Sequence, residues 1–164
     1  MSRVLAFAAA LALAAPLASC DEPPQPERHK LPAQEQLEVP DWLPAGTKLD
    51  PAWWLASRRI GGPAPKDDRM IEVYRNFLVQ GERQFHEEQR MIANRTVQTA
   101  RALADHGIAE TYDSLLDGFT SLADYTGGRL LYGQICQHYL NLRERGDTRD
   151  AALEELRRAY PHAR

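Results

Sequence analysis

The stretch that decides the fold is "RMIEVYRNFLVQGERQFHEEQRMIANRTVQTARALADHG", residues 69–107. Its apolar residues recur every three or four positions, which is the period of one face of an α-helix. This period predicts a long helix from Asp68 to Asp105, with Gly107 as its C-terminal stop. Gly81 lies on this face and marks either a bend or a place where another helix comes close. We expect the helix to continue through Gly81.

Three shorter helices are predicted downstream of this stretch. The apolar period places them at about Glu110 to Asp124, at about Arg129 to Arg145, and from a cap at Asp147 or Thr148 to a stop at Pro161. No alternation typical of strands competes with the helical period. The predicted fold class is therefore all-α, a small bundle of about four helices with a long first helix.

The region before the bundle is rich in proline, with nine of the eleven prolines between Pro23 and Pro65. This composition predicts an extended tether over residues 20–66 and an α-helical domain over residues 67–164. One short helix is predicted inside the tether, from Pro51 to Ile60 in "LDPAWWLASRRIGG". Asp50 is a favourable N-cap for it, and the glycine after Ile60 supplies a left-handed stop.

All three tryptophans lie in the tether, although large aromatic side chains are scarce in pure spacers. Their helix can pack back on the bundle, dock on a partner protein, or lie in the membrane interface with arginines near lipid phosphate. A second aromatic cluster lies in "DYTGGRLLYGQICQHY", where tyrosines either cap the core or bind a partner. The candidate partner-binding residues are Trp42, Trp53, Trp54, Arg58, Arg59, Tyr125, Arg129 and Tyr132.

The N-terminus is typical of a secretory signal. Residues 1–19 begin with a short segment bearing Arg3, continue into an apolar core over residues 5–18, and end in small residues. As a helix, that core would reach about 21 Å, which is short of the roughly 30 Å hydrocarbon layer of a membrane. We therefore expect cleavage of this segment rather than a membrane-spanning helix.

The sequence Leu17-Ala18-Ser19-Cys20 resembles the lipobox of bacterial lipoproteins, and the resemblance covers only residues 1–22. It implies that Cys20 is lipidated and becomes the first residue of the mature chain, held in the membrane by two or three acyl chains. Asp21 and Glu22 resemble the signal that keeps such proteins on the periplasmic face of the inner membrane. An outer-membrane location, or an ordinary secretory signal with a chance cysteine, is the alternative.

Neither the composition nor the motifs point to catalysis. A net charge of −3 and a pI near 6.0 give no bulk electrostatic case for nucleic acid or for a polybasic membrane patch. Arg90 stands where a zinc-binding helix would place a second histidine after His86. Cys136 and His138 point in nearly opposite directions on a helix. We therefore predict no catalytic residue, no metal and no cofactor, and we expect Cys136 to be buried or to form an intermolecular disulfide.

These observations leave two functions open. The first is a non-enzymatic, lipid-anchored periplasmic protein whose helical domain binds another protein, as an accessory or assembly factor of a cell-envelope complex. The second is an immunity or exclusion lipoprotein that blocks a toxin or a transfer apparatus. An enzyme would gain ground only if the fold brought His86, His138 and a carboxylate into one cleft. The sequence leaves the oligomeric state open.

Overall fold

Six helices carry the fold of the part of the chain that the computed structural model describes, residues 38–123 and 129–160. Within these ranges the only strand-like pairing is a single bridge between Phe85 and Leu130. The predicted all-α class is therefore confirmed, whereas the predicted helix count is too low. The helices are Pro51–Ile60 (α1), Arg69–Gln84 (α2), Gln89–Asp105 (α3), Tyr112–Ala123 (α4), Tyr132–Glu144 (α5) and Arg149–Ala159 (α6).

The prediction of one continuous first helix is wrong, because the chain leaves the helical path between α2 and α3. Phe85 has an extended backbone, with φ −109° and ψ 163°. The backbone N–H of His86 donates to the carbonyl of Leu130 at 3.0 Å, and the N–H of Leu130 donates to the carbonyl of Gln84 at 3.2 Å. This exchange satisfies backbone groups that the end of a helix leaves unpaired.

Gly81 lies at a close approach of α3 to α2. A Cβ atom at this position would lie 3.1 Å from Cδ1 of Ile92, which is tighter than ordinary van der Waals contact. Of the two interpretations of Gly81, the close approach of another helix is therefore confirmed. The break itself falls four residues later, at Phe85.

The short helix α1 has the predicted limits because its signals are local. The Asp50 side chain accepts a hydrogen bond from the backbone N–H of Ala52 at 2.9 Å. Gly61 ends the helix with φ 73°, in the left-handed region that favours glycine. Both ends are therefore fixed by residues within or beside the helix itself.

Residues 38–66 fold together with the helices, upstream of the domain boundary predicted at residue 67. The backbone N–H of Leu43 donates to Oδ1 of Asn94 at 2.9 Å, and Nδ2 of Asn94 donates to the carbonyl of Leu43 at 3.0 Å. Both residues are buried, and α1 packs against α2 and α3. The tryptophans of this segment account for the difference, because they favour burial over a solvated tether.

The centre of the core is a row of aromatic rings from three elements. Phe85 and Phe119 each meet Tyr132 edge to face, at 4.9 and 5.6 Å between ring centroids, and Phe119 meets Tyr139 at 5.2 Å. The Tyr132 hydroxyl lies 2.6 Å from Oγ1 of Thr96. Burial raises the pKa of Tyr132 well above its ordinary value, so this hydroxyl stays neutral.

Across the described residues, none of the helices combines the length and the apolar character that crossing a bilayer requires.

Candidate functional site

An open groove of about 370 Å³ lies where the end of α1, one face of α3 and the start of α4 meet. Its volume is within the range of ligand-binding pockets. We call it the arginine groove. Its lining includes Arg58 and Arg59 of α1, Val97, Ala100, Arg101 and Ala104 of α3, and Tyr112 of α4.

The floor of the arginine groove follows from the spacing of residues on α3. Ala100 and Arg101 follow Val97 by three and four positions, and Ala104 follows them by four and three, so the four residues lie on one side of the helix. Val97 and Ala100 are buried, whereas Arg101 and Ala104 are exposed. The two alanines leave room above the helix that larger side chains would fill. The floor is thus apolar, with a cation at its edge.

The arginines of the groove differ in how far their charges are neutralised. Arg58 pairs with Asp41 at 2.6 Å, and Arg59 pairs with Asp68 at 2.9 Å. Arg101 makes no ion pair or hydrogen bond with any residue that the structure describes. The Nε atom of Arg58 is buried and has no acceptor among the described residues. Arg101 therefore supplies the groove with a guanidinium that can donate hydrogen bonds to an anion.

The carboxylate that borders the groove, Glu110, is already paired with two arginines that do not line the groove. Its side chain is only 5% exposed and lies 3.2 Å from Arg143 and 3.3 Å from Arg149. It also accepts hydrogen bonds from the hydroxyls of Tyr139, at 2.8 and 3.0 Å, and of Ser114, at 3.1 Å. Burial and the hydrogen bond to Glu110 raise the pKa of Tyr139, which remains a donor. Glu110 therefore adds little negative charge to the groove.

A smaller pocket, of about 170 Å³, lies on another face of α3. Its lining includes Arg95 and Gln98 of α3 and Gly133 and Cys136 of α5. Cys136 is a buried, free thiol. Burial raises the pKa of Cys136 to about 12, so the thiol keeps its proton at neutral pH.

The structure places the predicted tryptophan anchors in three different environments. Trp54 has no exposed surface, and its indole N–H donates to the carbonyl of Pro40 at 2.7 Å. Trp53 is half-buried and donates to the carbonyl of Ala64 at 3.0 Å. Trp42 is 38% exposed. Trp54 was predicted to dock on a partner, but it is a core residue, because it exposes no surface that a partner could contact.

The aromatic cluster before α5 also differs from its prediction. Tyr132 has no exposed surface and belongs to the core, so the prediction that it binds a partner is wrong. The Arg129 guanidinium donates from Nε to the carbonyl of Phe85 at 2.7 Å and from Nη2 to the carbonyl of Glu82 at 3.0 Å. It therefore caps the end of α2. Tyr125 lies outside the described residues, as do Cys20, Asp21 and Glu22.

The other two predicted anchors, Arg58 and Arg59, lie together in the arginine groove. Arg101 and Tyr112 were not predicted as site residues, yet the fold places them beside Arg58 and Arg59. The available signal was the spacing of Val97, Arg101 and small residues on one face of α3. That spacing does not tell which other helix faces it.

Within the described residues, no three histidine, cysteine, aspartate or glutamate side chains are close enough together to hold a metal ion. His86 is exposed. His138 is half-buried and meets the ring of Tyr160 at 5.9 Å between centroids.

Comparison with protein families matches residues 52–160 to the family described as MoxZ. The chain belongs to the MoxZ family. The matched range contains more than half of the chain and every residue that lines the arginine groove, whereas Asp41 and Leu43 precede it. No curated protein and no solved structure matches the chain.

Proposed function

We propose that this member of the MoxZ family is a non-enzymatic, lipid-anchored periplasmic lipoprotein. Its helical unit binds another cell-envelope protein and acts as an accessory or assembly factor of a membrane complex. The observation that carries the proposal is the arginine groove, in which an apolar floor lies among arginines and a tyrosine. Arginine and tyrosine are favoured anchors at protein interfaces, and a concave apolar floor can bury a partner's side chain.

The lipid anchor rests on the lipobox-like sequence that ends at Cys20. Two or three acyl chains hold a protein in a bilayer far more firmly than one chain does. Residues 21–37 separate this cysteine from the described unit and can span about 53 Å at most in a polyproline II conformation. The anchor would therefore keep the groove within reach of membrane complexes.

Metabolic labelling with an alkyne analogue of palmitate tests the anchor. We expect the wild-type protein and the Cys136→Ser variant to be labelled and the Cys20→Ser variant to be unlabelled, because only Cys20 would be acylated. Replacement of Asp21 by serine should move the protein from the inner toward the outer membrane. Labelling that survives Cys20→Ser would contradict the proposed anchor.

Co-purification from detergent-solubilised membranes tests the groove. Ala104 is exposed on the groove face, so Ala104→Trp fills the groove without disturbing the core. The matched control is Gln98→Trp, an exposed substitution on another face of the same helix. We expect a resident envelope protein to co-purify with wild type and control but not with Ala104→Trp. Equal recovery of the envelope protein with wild type, Ala104→Trp and Gln98→Trp would show that the groove does not bind it.

The same experiment separates the two candidate functions. An accessory or assembly factor should recover its partner from unchallenged cells. An immunity or exclusion lipoprotein should recover a foreign protein only after cells meet the toxin or the transfer apparatus. Enrichment of peptidoglycan alone would contradict both functions and favour a wall-binding module.

A further inference from the structure

We propose that the arginine groove takes an acidic segment of the partner protein, and that Asp41 of this chain competes with it for Arg58. This inference rests on the proposed partner-binding function and adds the chemistry of the occupant. In the absence of the partner, Asp41 occupies the guanidinium of Arg58. When the acidic segment binds, one of its carboxylates takes that place.

The sign of the occupant's charge follows from the charged side chains that line the groove. Three guanidinium groups line it, those of Arg58, Arg59 and Arg101, and the last has no acidic partner among the described residues. The one carboxylate of the lining, Glu110, is occupied by Arg143 and Arg149. Guanidinium groups bind carboxylates through charge-assisted, often paired hydrogen bonds. The groove thus complements a negatively charged occupant.

The floor of the groove indicates a peptide rather than a small inorganic anion. Val97 and Ala100 form a buried apolar surface, and the half-buried Tyr112 adds an aromatic ring beside it. Ala104 is exposed and Tyr112 is only half-buried, so an inorganic anion would leave their apolar surface in water. A peptide that combines acidic and apolar side chains would cover the floor and reach the arginines at the same time.

Asp41 has the properties of a contact that can be displaced. Its side chain is 84% exposed, and it lies in the segment before α1, outside any helix. An ion pair with so exposed a partner adds little stability because water and salt screen it. An incoming carboxylate can therefore replace Asp41 at low cost.

The groove favours a peptide over the headgroups of an anionic membrane. The arginines border a concave floor rather than project from a flat face. A membrane surface is therefore an outcome of the test rather than the proposed occupant.

Fluorescence anisotropy with the detergent-solubilised full chain tests the inference. The probe is a fluorescein-labelled peptide made of glutamate and leucine, and the comparison probe replaces glutamate by lysine. We expect only the glutamate peptide to bind. Arg101→Gln should weaken its binding about tenfold because a charge-assisted hydrogen bond is lost. Asp41→Asn should tighten it about threefold because the competitor is removed. The control Gln98→Ala should leave binding unchanged.

Three results would overturn the inference: no binding of the glutamate peptide, binding that Arg101→Gln leaves unchanged, or binding that Asp41→Asn weakens. Vesicles containing phosphatidylglycerol, mixed with the Cys20→Ser chain, provide the second arm. Sedimentation with these vesicles that depends on Arg101, without peptide binding, would assign the groove to lipid phosphate. If Ala104→Trp still abolishes co-purification of the partner, such a result overturns the acidic occupant and leaves the proposed function standing.

Discussion

Tyr74 carries a hydroxyl that is buried without a hydrogen-bond partner among the described residues. Burial raises the pKa of Tyr74 well above its ordinary value, because the phenolate would lose its hydration. A buried polar group without a partner costs free energy that the unfolded chain does not lose. The unpaired hydroxyl of Tyr74 is therefore a weak point in the packing of α2.

Tyr74→Phe should leave the free energy of unfolding unchanged or raise it by about 1 kcal/mol, because only an unpaired hydroxyl is removed. Tyr139→Phe is the matched control, since that hydroxyl donates to both oxygens of Glu110. The control should lose about 1.5–3 kcal/mol with its charge-assisted hydrogen bonds. Urea unfolding followed by circular dichroism measures both. Equal losses in the two variants would contradict the difference assigned to their hydroxyls.

Cys136 should resist alkylation in the folded protein. Its pKa is raised by burial from 9.0 to about 12, so at pH 9 the folded protein holds far less thiolate than the unfolded chain does. In the Cys20→Ser chain, where Cys136 is the sole cysteine, iodoacetamide should react slowly at pH 9 and rapidly in urea. Mass spectrometry follows the adduct. Rapid reaction without urea would show that the thiol is accessible.

The raised pKa of Cys136 makes the free energy of unfolding depend on pH. The folded state holds the thiol proton more tightly than the unfolded state does. The contribution of Cys136 is therefore fully present below about pH 9 and is lost as the pH rises toward about 12.

At the scale of elements, a glutamate between α2 and α3 holds the start of α5. The carboxylate of Glu87 accepts hydrogen bonds from the backbone N–H groups of Tyr132 and Gly133, each at 2.9 Å. Leu131 precedes the helix and offers no side-chain cap of its own. A carboxylate from a distant segment therefore supplies both the hydrogen bonds and the negative charge that a helix N-terminus favours.

Glu87→Ala should lower the free energy of unfolding by about 1–2 kcal/mol, because two backbone donors lose their acceptor. Glu88→Ala is the matched control, since Glu88 is exposed and pairs only with Arg90 among the described residues. We expect the control to change stability by less than about 0.5 kcal/mol. Thermal melts of both variants measure the difference. A larger loss in Glu88→Ala would contradict the role of Glu87.

The elements also show which parts of the fold the sequence could predict. The limits of α1 were predictable because Asp50, Pro51 and Gly61 act on their nearest neighbours. The break after α2 was not, because the backbone of Phe85 pairs with Leu130, a residue far along the chain. Helical periodicity continues across the break, so local pattern alone favours one long helix.

At the scale of the whole molecule, the arginine groove exists only because three distant segments meet. The groove is lined by the end of α1, one face of α3 and the start of α4, and none of these segments alone has a motif that indicates a binding site. Arg58 and Arg59 could be selected as candidate anchors from their place beside two tryptophans. Arg101 could not, because an arginine at the edge of an apolar helix face is indistinguishable from a solvated one until the fold is known. Burial of Trp54 and Tyr132 likewise depends on packing that the sequence does not display.

Photo-crosslinking of the full chain in living cells tests most directly whether the arginine groove binds an acidic segment of an envelope protein. Benzoylphenylalanine placed at Ala104 reports what lies in the groove, and the same residue at Gln98 reports another face of α3. We predict a crosslink to one envelope protein at position 104, through an acidic segment of that protein, and none at position 98. The same adduct at both positions, or none at position 104 in membranes that retain the lipidated chain, would contradict this prediction.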